Sequence, residues 1–126
     1  MQHFSMDDKV TISDLKERIR LFCEERDWDR YHNAKDLAIG IITEAAELLE
    51  HFRFKSSEES EALLNDPERR RAIAQELADI LYFVLRLAQR YEIDLSDELH
   101  AKLELNAARY PVEKAKGSNK KYSELG

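Results

Sequence analysis

Apolar residues recur every three or four positions along most of this chain, the spacing of amphipathic helices rather than the alternation of strands. Leu15, Ile19 and Phe22 share one face of a first helix over about 13–26, for which Thr11 and Ser13 offer N-caps. Residues 27–33, DWDRYHN, break the pattern and read as a connection carrying aromatics. A second helix over about 34–54 has Leu37, Ile41, Leu48 and Phe52 among its apolar residues. Polar residues 56–61 interrupt, with room for a helical turn at 62–64. Asp66-Pro67-Glu68 then opens a third helix, about 67–91, with a cap, a proline at the first position and an acid in the first turn. Ser96, Asp97 and Glu98 open a fourth, about 96–109, which Pro111 ends. The fold class is therefore all-α, with a four-helix-bundle-like subunit. Residues 1–12 are expected to be a flexible N-terminus, 13–110 the helical domain, and 111–126 a basic, irregular tail.

The third helix bears on assembly. Ile73, Leu77, Ile80, Leu81, Val84, Leu85 and Ala88 fill one broad arc, and Tyr82 and Phe83 extend it on both flanks. A helix apolar nearly all round needs burial on several sides. A lone subunit of this size hardly supplies that, so a homodimer is expected, and a dimer of dimers is consistent with it.

Composition narrows the class. A length of 126 residues suits one domain, and 37% charged residues mark a soluble chain. With only 3 Gly and 2 Pro, it has little material for tight turns. No apolar run approaches the ~20 residues of a membrane span, and MQHFSMDDKV lacks the apolar core of a signal peptide. The single Cys23 excludes an intrachain disulfide and reads as core filler; it fits a reducing, cytoplasmic setting. A net charge of -6 argues against binding nucleic acid polymers.

Two matched pairs of acids carry the candidate chemistry: Glu44 and Glu47, then Glu76 and Asp79. A spacing of three places both members of a pair on one helix face, with Cβ atoms roughly 5–6 Å apart. Glu76 projects between Phe83 and Leu87, inside apolar surface, and Glu44 lies at the edge of its own apolar face beside Leu37 and Leu48. A desolvated, unpaired carboxylate costs several kcal/mol. Arg86 projects away from Glu76, and Lys35 is nearly three turns from Glu44, so cations from outside are the better remedy. Hard oxygen donors without a histidine–cysteine cluster suit Mg²⁺, with Mn²⁺ able to substitute. His51 reads as a surface residue on the exposed side of the second helix.

The order Glu44-x-x-Glu47, 28 intervening residues, Glu76-x-x-Asp79 resembles the MazG-like superfamily of all-α nucleoside triphosphate pyrophosphohydrolases. ERDWDRYHNAKDL at 25–37, EHFRF at 50–54 and KLELNAARYPVEKAKGSNKKYSEL at 102–125 place it nearest the single-domain branch typified by dCTP pyrophosphatase. The resemblance implies Mg²⁺-dependent hydrolysis of a nucleoside triphosphate to the monophosphate and pyrophosphate. It assigns Glu44, Glu47, Glu76 and Asp79 to the metal. Trp28 and Phe54 match aromatic positions flanking the base, and Asn106 a polar position contacting the nucleotide. Lys102, Arg109 and Tyr110 match the phosphate end. Family members of this kind form tetramers whose neighbouring subunits complete each site. Phe54 and Phe83 stand where close vertebrate relatives carry Trp and Tyr, keeping a ring and losing a polar handle.

The residues alone give these roles a rationale. Phosphoryl transfer needs charge neutralisation and a positioned water. Glu47 or Glu44 can accept the water's proton. Lys114 and Lys121, with Arg109, Lys116 and Lys120, supply cations that could close over a triphosphate. Trp28 can stack on a base, and His32 in the same connection is a further substrate candidate. dCTP or a modified pyrimidine dNTP leads the substrates. The same cleavage of another nucleotide, such as phosphoribosyl-ATP, and a noncatalytic oligomerisation module are the rivals.

Overall fold

The computed structural model describes residues 5–125, which form six α-helices and three 3₁₀ turns, with no strand among them. The all-α expectation holds. The chain divides into two compact units, one up to Glu92 and one from Ile93 onward. Of the 1–12 segment expected to be flexible, residues 1–4 lie outside the described residues, while Met6–Asp8 makes a 3₁₀ turn capped by Ser5.

The first unit is built around α4 (Pro67–Arg90), which packs along α2 (Ala34–Glu50) and against α1 (Ile12–Glu25). Thr11, not Ser13, caps α1. Its hydroxyl accepts from the Asp14 amide at 3.0 Å, and the Asp14 carboxylate accepts from the Thr11 amide at 3.0 Å. At the other end of α1, Asp27 adopts the left-handed region (φ 56) that Asp tolerates better than most residues. The Asp27 amide then donates to Glu24 O and the Trp28 amide to Cys23 O, each at 3.0 Å. This is a Schellman motif with aspartate in the usual glycine position.

Asn33 caps α2, accepting from the Asp36 amide at 2.9 Å. The helix stops at Glu50 rather than 54, and residues 51–54 turn out of it, ending on Phe54 at φ 64. The segment expected to interrupt the chain is itself helical: α3 spans Ser57–Leu63 because Ser56 and Glu59 form a reciprocal capping box. Asp66 caps α4 with Pro67 at its first position, as the sequence predicts.

Cys23, Leu37, Ile73, Leu85 and Ala88 form the buried apolar core. It is small for so apolar a chain, and Leu77 on α4 remains 54% exposed.

In the second unit α5 spans Leu95–Arg109, one residue earlier than expected, because Asp94 accepts from the Asp97 amide at 2.9 Å. Pro111 ends α5 but also starts α6 (Val112–Ala115), since its fixed φ suits a helix entry. The tail, expected to be irregular, thus carries a short helix and a final 3₁₀ turn, with no regular element over 116–121 between them. Tyr122 packs edge-on to Tyr110, and the Arg109 guanidinium lies 4.9 Å from the Tyr122 ring centre.

Candidate active site

The seam between α2 and α4 brings the acidic pairs together. Carboxylate oxygens of Glu44, Glu47 and Glu76 lie within 4.8 Å of one another. Glu44 and Glu76 each bury one Oε2 atom with no hydrogen-bond partner. Burial pushes the Glu44 carboxyl above its ordinary range; a hydrogen bond with Glu47 and the charges of Glu47, Asp79 and Glu76 add to the effect. Three carboxylates this close, two with stranded oxygens, form a donor set for a hard divalent cation. The residues fit Mg²⁺ or Mn²⁺ on those grounds.

Asp79, the fourth acid, stands beside this trio and lines the adjoining cleft. That cleft, about 360 Å³, is walled by Phe22, Trp28, Tyr82 and Phe83, with Glu44 and Asp79 at its acidic end. Phe22 meets Trp28 edge-on at 5.6 Å between ring centres, and Tyr82 meets Phe83 at 5.0 Å. The Schellman motif ending α1 turns the backbone so that Trp28 comes back to Phe22, six residues earlier. Four rings can hold a flat heterocycle, and the carboxylates lie where its charged substituent would point.

Other residues singled out from sequence fall elsewhere. Phe54 does not join the cleft; it is 91% exposed, its ring stacked only by the Arg53 guanidinium at 4.7 Å. His32 turns inward, accepting on Nδ1 from Arg86 Nε at 2.9 Å. In the second unit Lys102, Asn106 and Arg109 follow helical spacing along α5, and the Tyr110 amide caps it by donating to Asn106 O at 2.8 Å. Lys114 on α6 and Lys121 before the final 3₁₀ turn are both exposed.

Two residues went unnoticed or misread. His51 is not a surface residue: its side chain is 19% exposed, and Nε2 lies 3.6 Å from Glu76 Oε1. The signal was available, since His51 follows Glu44 by seven positions, two helical turns on one stripe. Arg86 is fully buried and ion-paired to Asp29, a tertiary partnership that no local spacing reveals.

Comparison with known proteins identifies the family. A model of the MazG-like family matches residues 39–125. The dCTP pyrophosphatase 1 of Bos taurus is 35% identical over 97% of this chain and 72% of its own length, and that of Homo sapiens 34% over the same shares. A crystal structure of a pyrophosphatase from Archaeoglobus fulgidus superposes with a TM-score of 0.75 at 33% identity, covering 88% of this chain and 98% of that one. The chain belongs to the MazG-like family.

Proposed function

We propose that this protein is a nucleotide pyrophosphohydrolase that cleaves a nucleoside triphosphate, with dCTP or a modified pyrimidine dNTP first, to the monophosphate and pyrophosphate. The observation that carries the reading is the junction of the Glu44–Glu47–Glu76 trio with an aromatic cleft. One half of the site suits phosphate-bound cations, the other a base. The dCTP pyrophosphatases named above support that choice of substrate.

Glu44, Glu47, Glu76 and Asp79 would hold Mg²⁺, with Mn²⁺ able to substitute. Such a cation, when bound, offsets charge developing on the phosphates and acidifies a coordinated water. The protein's own residues do the rest. Trp28 and Phe83 orient the base, so that the triphosphate runs toward Glu44 and Asp79. A carboxylate of the Glu44–Glu47 pair accepts the proton of the attacking water. By the family resemblance Lys102, Arg109 and Tyr110 are proposed for the phosphate end, Asn106 for a nucleotide contact and Phe54 for the base. Lys114 and Lys121 are proposed as further cations for the phosphates and His32 as a further substrate contact, on their chemistry alone. Half-exposed Leu77 and Leu81 support self-association into a homodimer or homotetramer. No helix among the described residues is long and apolar enough to cross a membrane, and the lone Cys23 suits a cytoplasmic setting.

A panel of canonical and modified NTPs and dNTPs, with Mg²⁺ and product identification, tests this reading. Monophosphate and pyrophosphate are expected, fastest from a pyrimidine dNTP, with activity lost in Glu47→Gln. No pyrophosphate from any nucleotide would leave the oligomerisation-module reading standing.

A further inference from the structure

We infer that Arg86 is a positioning residue for the aromatic cleft: the buried guanidinium clamps the 29–32 turn to α4 and so sets the Trp28 wall relative to the Phe83 wall. The inference rests on the base-binding reading of that cleft. Arg86 is 0% exposed, so it cannot reach a phosphate. Three of its five N–H donors are engaged inside the fold. Nε donates to His32 Nδ1 at 2.9 Å, Nη1 to Gln89 Oε1 at 2.6 Å, and Nη2 to Asp29 Oδ1. Arg90, one turn along α4, adds a bond from Nη2 to Asp29 O at 3.4 Å, and its Nη1 lies 3.8 Å from Asp29 Oδ2.

Gln89 lies on α4 itself, while Asp29 and His32 belong to one short segment, the 3₁₀ turn Asp29–Tyr31 with His32 as its cap. None of the turn's own residues is buried, so apolar packing does little to hold it. Trp28 is the residue from which this turn starts, and its ring tilts against His32 at 6.2 Å. Phe83 lies one helical turn before Arg86 on α4. Both walls of the cleft are thereby referred to one helix, Phe83 by the backbone and Trp28 through the buried guanidinium. An apolar side chain of similar volume would fill the space with no charge to desolvate, but it could not grip Asp29 and His32 together.

Loss of the clamp should therefore weaken recognition of the base and spare the phosphate end. Arg86→Lys keeps the charge and removes the fork, Asp29→Asn removes the half-exposed partner, and Leu85→Ala serves as a core control that loosens α4 without touching the clamp. Trp28 is the only tryptophan, so its emission and acrylamide quenching report the wall directly. In the full chain, both clamp variants are expected to shift Trp28 emission to the red and raise KM for dCTP by about tenfold or more. Their kcat should stay within about threefold of wild type. The inhibition constant of inorganic tripolyphosphate, the phosphate half without a base, should not move. Leu85→Ala should lower Tm without these changes. Unaltered Trp28 emission and KM in folded Asp29→Asn, or the same changes in Leu85→Ala, would overturn the inference. If no nucleotide is cleaved at all, the base-binding reading fails, while the fluorescence comparison still decides whether Arg86 sets Trp28. Should Arg86→Lys not fold, Asp29→Asn carries the test.

Discussion

Gly40 on α2 lies directly beneath the ring of Phe83 on α4: a Cβ at position 40 would come within 2.5 Å of Cδ1 and Cε1 of that ring. Contacts that short do not occur between unstrained carbons. Glycine is thus required in the middle of a helix, where it costs about 1 kcal/mol relative to alanine. It lets the two helices close and lets Phe83 lie flat as one wall of the cleft. Gly40→Ala is expected to push the ring out of place, with an overpacking penalty of roughly 1–3 kcal/mol only partly offset by better helix propensity. A lower urea midpoint with a raised KM for the nucleotide would bear this out; an unchanged KM would place Phe83 outside the base site.

The acidic trio should destabilise the metal-free chain. Glu76→Gln removes one of the crowded charges while keeping the shape, so in EDTA its Tm is expected to exceed that of wild type. Adding Mg²⁺ should raise the wild-type melting temperature, by a stabilisation of about 2.7 kcal/mol at a hundred times the dissociation constant. It should move the variant far less. Thermal melts with and without Mg²⁺ measure both effects, and a variant that responds like wild type would count against Glu76 as a ligand.

His32 gives the fold a dependence on mildly acidic pH. Burial holds its pKa below the ordinary 6.5, and the charges of Arg86 and Arg90 push the same way, against a smaller opposing pull from Asp29. In this window the unfolded chain binds the proton that the folded imidazole refuses. The stabilisation is therefore complete above about pH 6.5 and is lost as pH falls toward the lower folded value. Urea midpoints measured across that range should fall on acidification, and His32→Gln should flatten the slope.

Phe54 is strained with only a partial return within the subunit. A bulky residue at φ 64 costs on the order of 1 kcal/mol or more, and the exposed stack with Arg53 returns about half of that. Phe54→Gly should raise the stability of the isolated subunit by a few tenths to about 1 kcal/mol. A loss of stability accompanied by dissociation would instead show that a second copy covers this ring.

The long helices and the acidic pairs were legible because 3.6-residue periodicity and i,i+3 spacing are local properties. Helix α3 was not: seven residues with no apolar stripe are held by a capping box, a signal that lay in Ser56 and Glu59 and was passed over for their polarity. Trp28 could be singled out as a stacking residue, yet its orientation depends on a left-handed Asp27 where glycine is the expected marker. The inward face of His51 needed only the stripe to be followed two turns past Glu44. Arg86 was beyond reach, since its partners Asp29 and His32 lie on a connection far away in sequence.

The convergence of Glu44, Glu47 and Glu76 has a further meaning for how the molecule comes together. The first two lie on α2 and the third on α4, so a cation held by all three would tie off residues 48–75 as a closed loop. It would act as a removable cross-link, restricting the unfolded chain much as a disulfide does while needing no oxidant. Assembly of the site and docking of the two helices would then be one event, and a pool short of the ion would leave the seam ajar before any substrate arrived.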